Sequence, residues 1–189
     1  YTVAKSVSDL NAFIANPTNP GENNIKGDSS ITTLYNGKDA KFSSGVTITV
    51  DDDIRLGNIA VGADVTFTGN GTLTWGTLSQ SGLITLAGPN LRYIPPKVGD
   101  GTSSAFPASF TVKNGAELYF GNGDVSGYGV TTGTITIGPK GILCVASRDT
   151  LNRPLVLAGG EVHLGDKGGN FGSLDLFSTT IKVTADSSI

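Results

Sequence analysis

Apolar and polar residues alternate along this chain in short segments that share one nine-residue template. Each copy begins with an apolar residue, passes through a turn of polar, Gly, Pro or Asn residues, and ends in an alternating strand. The clearest pair lies within the ten-residue segments TVKNGAELYF (Thr111–Phe120) and TIGPKGILCV (Thr136–Val145), in which the copies open at Val112 and Ile137. The apolar residues that open the copies are Phe42, Val61, Val112, Ile137 and Val156, with a poorer match opening at Leu86. Alternation of this kind places one set of side chains inside and the other in solvent.

Such short strands cannot bury an apolar face alone, so copies at intervals of roughly 20 to 50 residues predict stacked coils around one core. We predict an all-β fold, specifically a β-solenoid, because the repeated unit includes the turn. A β-sandwich also has short strands joined by regular turns and is the alternative. The predicted inward positions are Ile48, Val50, Phe67, Leu118, Phe120, Leu143, Val145, Val162 and Leu164. The predicted outward positions are Thr47, Thr49, Thr66, Thr68, Glu117, Tyr119, Ile142, Cys144, Glu161 and His163.

Composition supports an all-β chain with one helix at most. Only 15% of the residues are charged and 27 are Gly, which disfavours long helices. The one predicted helix lies within Tyr1–Ala15, with Ser8 as its N-cap and Leu10, Phe13 and Ile14 on one face. NPTNPG then ends it. We predict a single domain over 1–189, in which residues 1–34 cap the exposed end of the solenoid core.

Charge and hydropathy exclude two classes of partner. The net charge is −3 and no two Lys or Arg residues are adjacent, which argues against nucleic-acid binding. No apolar run approaches the ~18 residues that span a bilayer. The single Cys allows no internal disulfide, and the richness in Thr, Ser, Gly and Asn is typical of a secreted or cell-surface protein. The start at Tyr1 without Met predicts a processed protein or an excised fragment.

Three excursions interrupt the coils: Asn90–Ala108 with Pro95, Pro96 and Pro107, then Gly121–Gly133, then Ser147–Pro154. We predict no regular strand in the first, because Pro and Gly are too dense there. Long loops on rigid scaffolds often carry function. Aromatic residues in or beside the excursions would suit glycan stacking or subunit contacts, although they would equally pack the loops onto the coil. These candidate surface residues are Tyr93, Phe106, Tyr119 and Tyr128.

Acidic residues offer weak signals for metal binding or catalysis. Asp51–Asp53 is the one carboxylate run, and a solvated turn explains it better than a calcium site. Glu117 and Glu161 share an outward slot, but Ile142 lies between them, so direct stacking would put them roughly 9.5 Å apart. That spacing leaves an inverting glycosidase pair open without requiring it. We predict no metal and no cofactor.

Cys144 and His163 occupy the same outward slot in consecutive copies, which would bring a thiol beside an imidazole. No third residue to orient the imidazole is evident, so we predict no catalytic site. Thr-X-Thr triplets raise ice binding as a further possibility. That function needs a Thr ladder over several coils, whereas this alignment ends the ladder after Thr66 and Thr68, and Thr is common in strands generally.

The residues AGGEVHLGDKGGNFGSLDLFSTTIKVTADSSI, from Ala158 onward, carry a Gly-Gly pair, a short strand, then Gly-Ser-Leu and an extended segment. They resemble the β-helical passenger domains of autotransporter-type bacterial surface proteins and related adhesins. VSDLNAFIA is similar to the short helical start of many right-handed β-helices. The resemblance implies a right-handed parallel β-helix that serves as an extracellular scaffold, an adhesin or a self-associating filament subunit.

The sequence therefore predicts a non-catalytic, extracellular β-solenoid that acts through its walls and loops, by adhesion or by assembly. Its expected partners are other copies of itself or surface glycans. The tail stops within what looks like another coil, which predicts a fragment of a longer protein or an end completed by a neighbour. The alternative is a carbohydrate-active β-helix enzyme with acidic residues on one face.

Overall fold

A computed structural model of the chain describes residues 22–25, 37–95, 109–120, 133–146, 148–151, 153–165, 173–176 and 180–189. These residues form strands and turns and contain no helix. The first ten strands are β1 (Glu22–Ile25), β2 (Asp39–Phe42), β3 (Val46–Val50), β4 (Ile54–Leu56), β5 (Ile59–Val61), β6 (Val65–Gly69), β7 (Thr72–Trp75), β8 (Leu78–Gln80), β9 (Ile84–Ala87) and β10 (Arg92–Tyr93). The others are β11 (Phe110–Lys113), β12 (Glu117–Phe120), β13 (Ile135–Ile137), β14 (Ile142–Val145), β15 (Arg148–Leu151), β16 (Leu155–Ala158), β17 (Glu161–His163), β18 (Ser173–Leu176) and β19 (Ile181–Ala185).

Successive strands belong to different sheets, and the chain then returns to the first sheet. Sheet A has the order β1-β2-β5-β8, sheet B the order β19-β16-β13-β11-β9-β6-β3, and sheet C the order β17-β14-β12-β10-β7-β4. Sheet D pairs β15 with β18. All pairings between these strands are parallel, whereas a sandwich is built from antiparallel sheets. The all-β prediction is confirmed, and the parallel stacking is consistent with a β-solenoid.

The register between neighbouring strands gives the length of each coil. Partners are 19 residues apart where β3 pairs with β6, so that Val46 lies beside Val65. They are 25 residues apart where β12 pairs with β14, because the chain between these two strands is longer. Leu118 pairs with Leu143, and Leu143 pairs with Val162. These three residues form one buried column, as the template predicts.

The template misassigns the early copies to that column. Phe42 and Val61 lie in sheet A, and their copies turn a corner into sheet B, whereas the later copies turn from sheet B into sheet C. Phe67 therefore pairs with Leu86, and Leu86 with Val112, instead of joining the column of Leu118. The two corners use the same kind of turn, so the pattern alone does not distinguish them. The opening residue of the last copy is also wrong by one position, because Ile137 pairs with Leu157 and not with Val156.

Aromatic rings run through the core across several coils. Phe67 lies between Phe42, at a centroid distance of 5.5 Å, and Trp75, at 6.1 Å. Tyr93 stacks on Trp75 at 4.1 Å and meets the edge of Phe110 at 6.5 Å. Such offset and edge-on contacts add to the stability gained from burying the rings.

Tyr93 corrects two predictions at once. It belongs to β10, so a strand lies inside the segment Asn90–Ala108, for which the sequence predicts none. Its side chain is 0% exposed, so its assignment to a binding or assembly surface is wrong. Alternation continues through Leu91, Tyr93 and Pro95, which are all buried, so the predicted excursion does not begin at Asn90.

Arg153 brings a charge into the interior near Tyr93. Its side chain is 1% exposed. Burial lowers the pKa of the guanidinium to about 10, while the Tyr93 hydroxyl acts in the opposite direction. Arg153 therefore stays protonated at neutral pH. The sequence places it in the third excursion, Ser147–Pro154, but that segment contains β15 and then a buried arginine.

Several predictions fall outside the described residues. The helix within Tyr1–Ala15 is among them, as are residues 96–108 and 121–132 of the first two excursions. Phe106 and Tyr128, two of the four candidate surface aromatics, lie in those segments. Within the predicted cap of residues 1–34, the structure describes only β1, which pairs with β2.

Candidate functional site

The outward face of sheet C carries a cluster of polar and aromatic side chains on β10 and β12. Arg92 lies directly beside Glu117, and its Nε donates a hydrogen bond of 2.5 Å to Glu117 Oε2. The guanidinium also lies 4.5 Å from the centre of the Tyr119 ring. Tyr119 is half-buried on this outer face. Of the four candidate surface aromatics, it is the one that the described structure places on a wall, and its role as a binding residue stays a prediction.

Two carboxylates on sheet C lie where the sequence alignment puts them. Glu117 pairs with Ile142, and Ile142 pairs with Glu161, so the two glutamates are two strands apart. Glu117 is held by Arg92, and Glu161 Oε2 lies 2.9 Å from His163 Nε2. Each carboxylate thus has a basic partner of its own. The described contacts offer no specific support for a convergent acid pair.

The predicted neighbours Cys144 and His163 are paired across β14 and β17. Cys144 is 2% exposed, and its thiol donates to the Gly165 carbonyl at 3.3 Å. His163 instead contacts Glu161, two residues earlier on the same face. The contact between His163 and Glu161 is not among the sequence-based predictions, although strand alternation already places these two residues on one side. Thiol and imidazole are thus engaged with different groups.

Polar side chains at the coil corners hydrogen-bond from one coil to the next. Asp53 Oδ1 accepts a hydrogen bond from the Thr72 amide at 3.2 Å, and all three residues of Asp51–Asp53 are exposed. At another corner, Asp39 Oδ1 accepts from the Asn58 amide at 2.7 Å. These contacts satisfy turn amides and stack the corners. Across the described ranges, no group of three His, Cys, Asp or Glu side chains is placed to hold a metal ion.

The outward face of sheet B carries an unbroken column of threonines, one from each of five neighbouring strands. The members, in the order in which they pair, are Thr47, Thr66, Thr85, Thr111 and Thr136. The prediction that the Thr ladder stops after two coils is therefore wrong. The error has the same cause as the misassigned core column, because Glu117 and Tyr119 belong to sheet C and not to this wall.

The end of sheet B at β19 exposes apolar side chains that occupy inward register positions. Ile181 pairs with Leu155 and Val183 with Leu157, and both of these partners are buried. Ile181 is 36% exposed and Val183 is 60% exposed. At the opposite end of the sheet, the inward residue Ile48 of β3 is 0% exposed. Among the described residues, the inward positions of β19 are therefore more exposed than that of β3.

No helix in the part of the chain that the structure describes is long and apolar enough to cross a membrane. Comparison with known proteins gives no match to a family model, to a curated protein or to a solved structure.

Proposed function

We propose that this chain is a non-catalytic, extracellular structural or adhesive protein, a right-handed β-helix that associates with a second copy through β19. The observation that carries the proposal is the exposure of β19, where Val183 pairs with the buried Leu157 and yet is 60% exposed. Among the described strands, β19 pairs only with β16, so its other edge has no described strand partner and lies beside apolar side chains. An edge of this kind is a template for pairing with another chain.

The sequence of β19 suits pairing with itself. In an antiparallel pair centred on Val183, Ile181 faces Ala185 and Lys182 faces Thr184. Apolar side chains then meet apolar ones, and the two Lys182 side chains are not directly opposite each other. Like charges that face each other across a strand pair are destabilising, so this register avoids an obvious penalty. The two cores would meet across the junction.

The difference between the two ends of the sheet favours a closed pair over a filament. A head-to-tail contact would join β19 of one copy to β3 of the next and would repeat without limit. Yet the inward residues of β3 are already covered: Val46 is 7% exposed and Val50 is 2% exposed. A two-fold contact between β19 ends uses the exposed end of both copies and then closes.

The remaining features of the proposal come from composition and from the resemblance. The low charge and the abundance of Gly and Thr support an extracellular location. The right-handed sense and the helix within Tyr1–Ala15 follow from the similarity to autotransporter-type passenger domains. Surface glycans are a second class of partner, for which Tyr119, with the Arg92 guanidinium over its ring, offers an aromatic surface.

A comparison of Val183→Lys with Leu83→Lys tests the association. The two side chains are almost equally exposed, at 60% and 59%, but Leu83 lies in the turn before β9, away from the β19 end. Sedimentation equilibrium over a range of concentrations should show a monomer–dimer equilibrium for the unsubstituted chain and for Leu83→Lys. Val183→Lys should shift this equilibrium to monomer, because the charge would be buried in the contact.

Oxidative cross-linking tests the register of the pair. In a Cys144→Ala background, Val183→Cys should form a disulfide-linked dimer, because directly opposite Cα atoms in antiparallel strands lie about 4.5 to 5.5 Å apart. Leu83→Cys is the matched control and should stay monomeric under the same oxidant. A strictly monomeric unsubstituted chain, or equal dimerisation of the two lysine variants, would overturn the proposed association.

A further inference from the structure

We propose that the outward face of sheet B is an ice-binding surface, with the five-threonine column as its contact row. The proposal is independent of the association through β19, since the column lies on strands β3, β6, β9, β11 and β13. It rests on the register of the strands, on the hydroxyl groups of the column, and on the few charged and aromatic side chains among the described outward residues of the wall.

The register makes the column straight and evenly spaced. Thr47 pairs with Thr66, and each later threonine pairs with the next, with no bulge from β3 to β13. Neighbouring strands lie about 4.8 Å apart, so the column extends about 19 Å. On β3 and β6, a second threonine follows two residues later, at Thr49 and Thr68, about 6.7 Å along each strand. The column therefore presents hydroxyl groups at a regular spacing, as binding to a crystalline lattice requires.

The five hydroxyl groups are available to water. None of them has a hydrogen-bond partner in the described ranges. Thr47 is exposed, and the other four are half-buried between their strand neighbours, as side chains on an open sheet face are. A hydroxyl both donates and accepts, which matches the water molecules of a lattice. The adjoining γ-methyl groups restrict the orientation of nearby water. Five hydroxyl contacts at fixed spacing act together as a multivalent row.

The rest of the wall disfavours other ligands. Described outward residues on these strands include no aromatic ring, the group on which sugars stack. The column that starts at Thr49 and Thr68 continues with Ala87 and Lys113, so the described wall is uncharged over β3, β6 and β9. A polyanion would need a denser row of cations. Over β3, β6 and β9, the uncharged surface of hydroxyl and methyl groups fits ordered water best.

The experiment measures thermal hysteresis and ice-crystal shape for the purified full chain and for two variants on different walls. Thr85→Lys places a long charged side chain in the middle of the column. Thr74→Lys makes the same change at a half-buried outward threonine on sheet C. Circular dichroism and thermal unfolding should show that both variants fold. The unsubstituted chain and Thr74→Lys should show hysteresis and faceted crystals, and Thr85→Lys should lose most of the hysteresis.

Val156→Thr provides a gain-of-function test. Val156 pairs with Thr136 at the next position of the column, so this variant lengthens the row by one threonine. It should increase hysteresis relative to the unsubstituted chain. Val183→Lys, which disrupts the proposed β19 contact, should keep hysteresis and so separate a failure of one proposal from a failure of the other.

Three outcomes would overturn the proposal: no hysteresis in the unsubstituted chain, equal loss in Thr74→Lys, or no change in Thr85→Lys. Binding to microcrystalline cellulose that Thr85→Lys abolishes, without any effect on ice, would assign the wall to a polysaccharide surface instead.

Discussion

At the scale of single residues, the stacking of the coils depends on glycines where one backbone passes close to the next. A Cβ at Gly71 would lie 2.2 Å from the Asp52 carbonyl oxygen on the preceding coil. The neighbouring Gly69 has a φ of +115°, a conformation that other residues rarely adopt. At Gly45, by contrast, the nearest atom to an added Cβ is the Asp64 carbonyl oxygen, at an ordinary 3.8 Å.

Gly71→Ala should therefore destabilise the fold by about 2 kcal/mol, because backbone atoms of adjacent coils must move apart. Gly45→Ala should change the free energy of unfolding by less than about 1 kcal/mol. Chemical denaturation of the two variants, monitored by the fluorescence of the buried Trp75, measures the difference. Equal stabilities would show that the coils do not approach each other at Gly71 as described.

At the scale of elements, β10 shows how a two-residue strand holds a coil in place. Arg92 pairs with Thr72 on one side and Glu117 on the other. Tyr93 points inward and stacks on Trp75 at 4.1 Å. The strand thus continues sheet C from β7 to β12 across the coil that carries the proline-rich excursion.

Tyr93→Ala should cost about 3 to 5 kcal/mol, as the removal of a large buried ring usually does. Tyr119→Ala should cost about 1 kcal/mol or less, because it removes a half-buried ring and its contact with the Arg92 guanidinium. Thermal unfolding of the two variants compares the loss of stability at a buried tyrosine with that at a half-buried one. The sequence predicts the same surface role for both residues. Similar losses in both variants would contradict the burial of Tyr93.

Most of the element pattern follows from sequence, because strand alternation and turn glycines are local properties. The stacking of Leu118 on Leu143 and Val162 is correctly predicted for this reason. The assignment of copies to sheets is not local. Phe42–Val50 and Val112–Phe120 share a turn pattern, yet they cross different corners. Because the pattern does not show which corner a copy crosses, it does not predict the Thr column. For the same reason, it assigns Ile48 and Phe67 to the column of Leu118 instead of to sheet B. The exposure of Val183 likewise depends on the position of β19 at the edge of sheet B, which strand alternation does not reveal.

At the scale of the whole molecule, the sheets form walls with separate proposed roles. Sheet B presents the Thr column, and its β19 end exposes apolar residues. Sheet C presents the cluster of Arg92, Glu117 and Tyr119. The walls are different faces of the same stack. An outward substitution on one wall should therefore leave binding through another wall unchanged, because the effects of distant sites are usually additive.

The register of sheet B is the claim on which both the core assignment and the Thr column depend, and paired cysteines test it most directly. In a Cys144→Ala background, Thr66→Cys with Thr85→Cys should form an intramolecular disulfide, because directly paired strand residues lie about 4.8 Å apart, within disulfide range. Thr74→Cys with Thr85→Cys should stay reduced, since Thr74 belongs to sheet C. Cross-linking of Thr85→Cys to Thr74→Cys, but not to Thr66→Cys, would contradict the account.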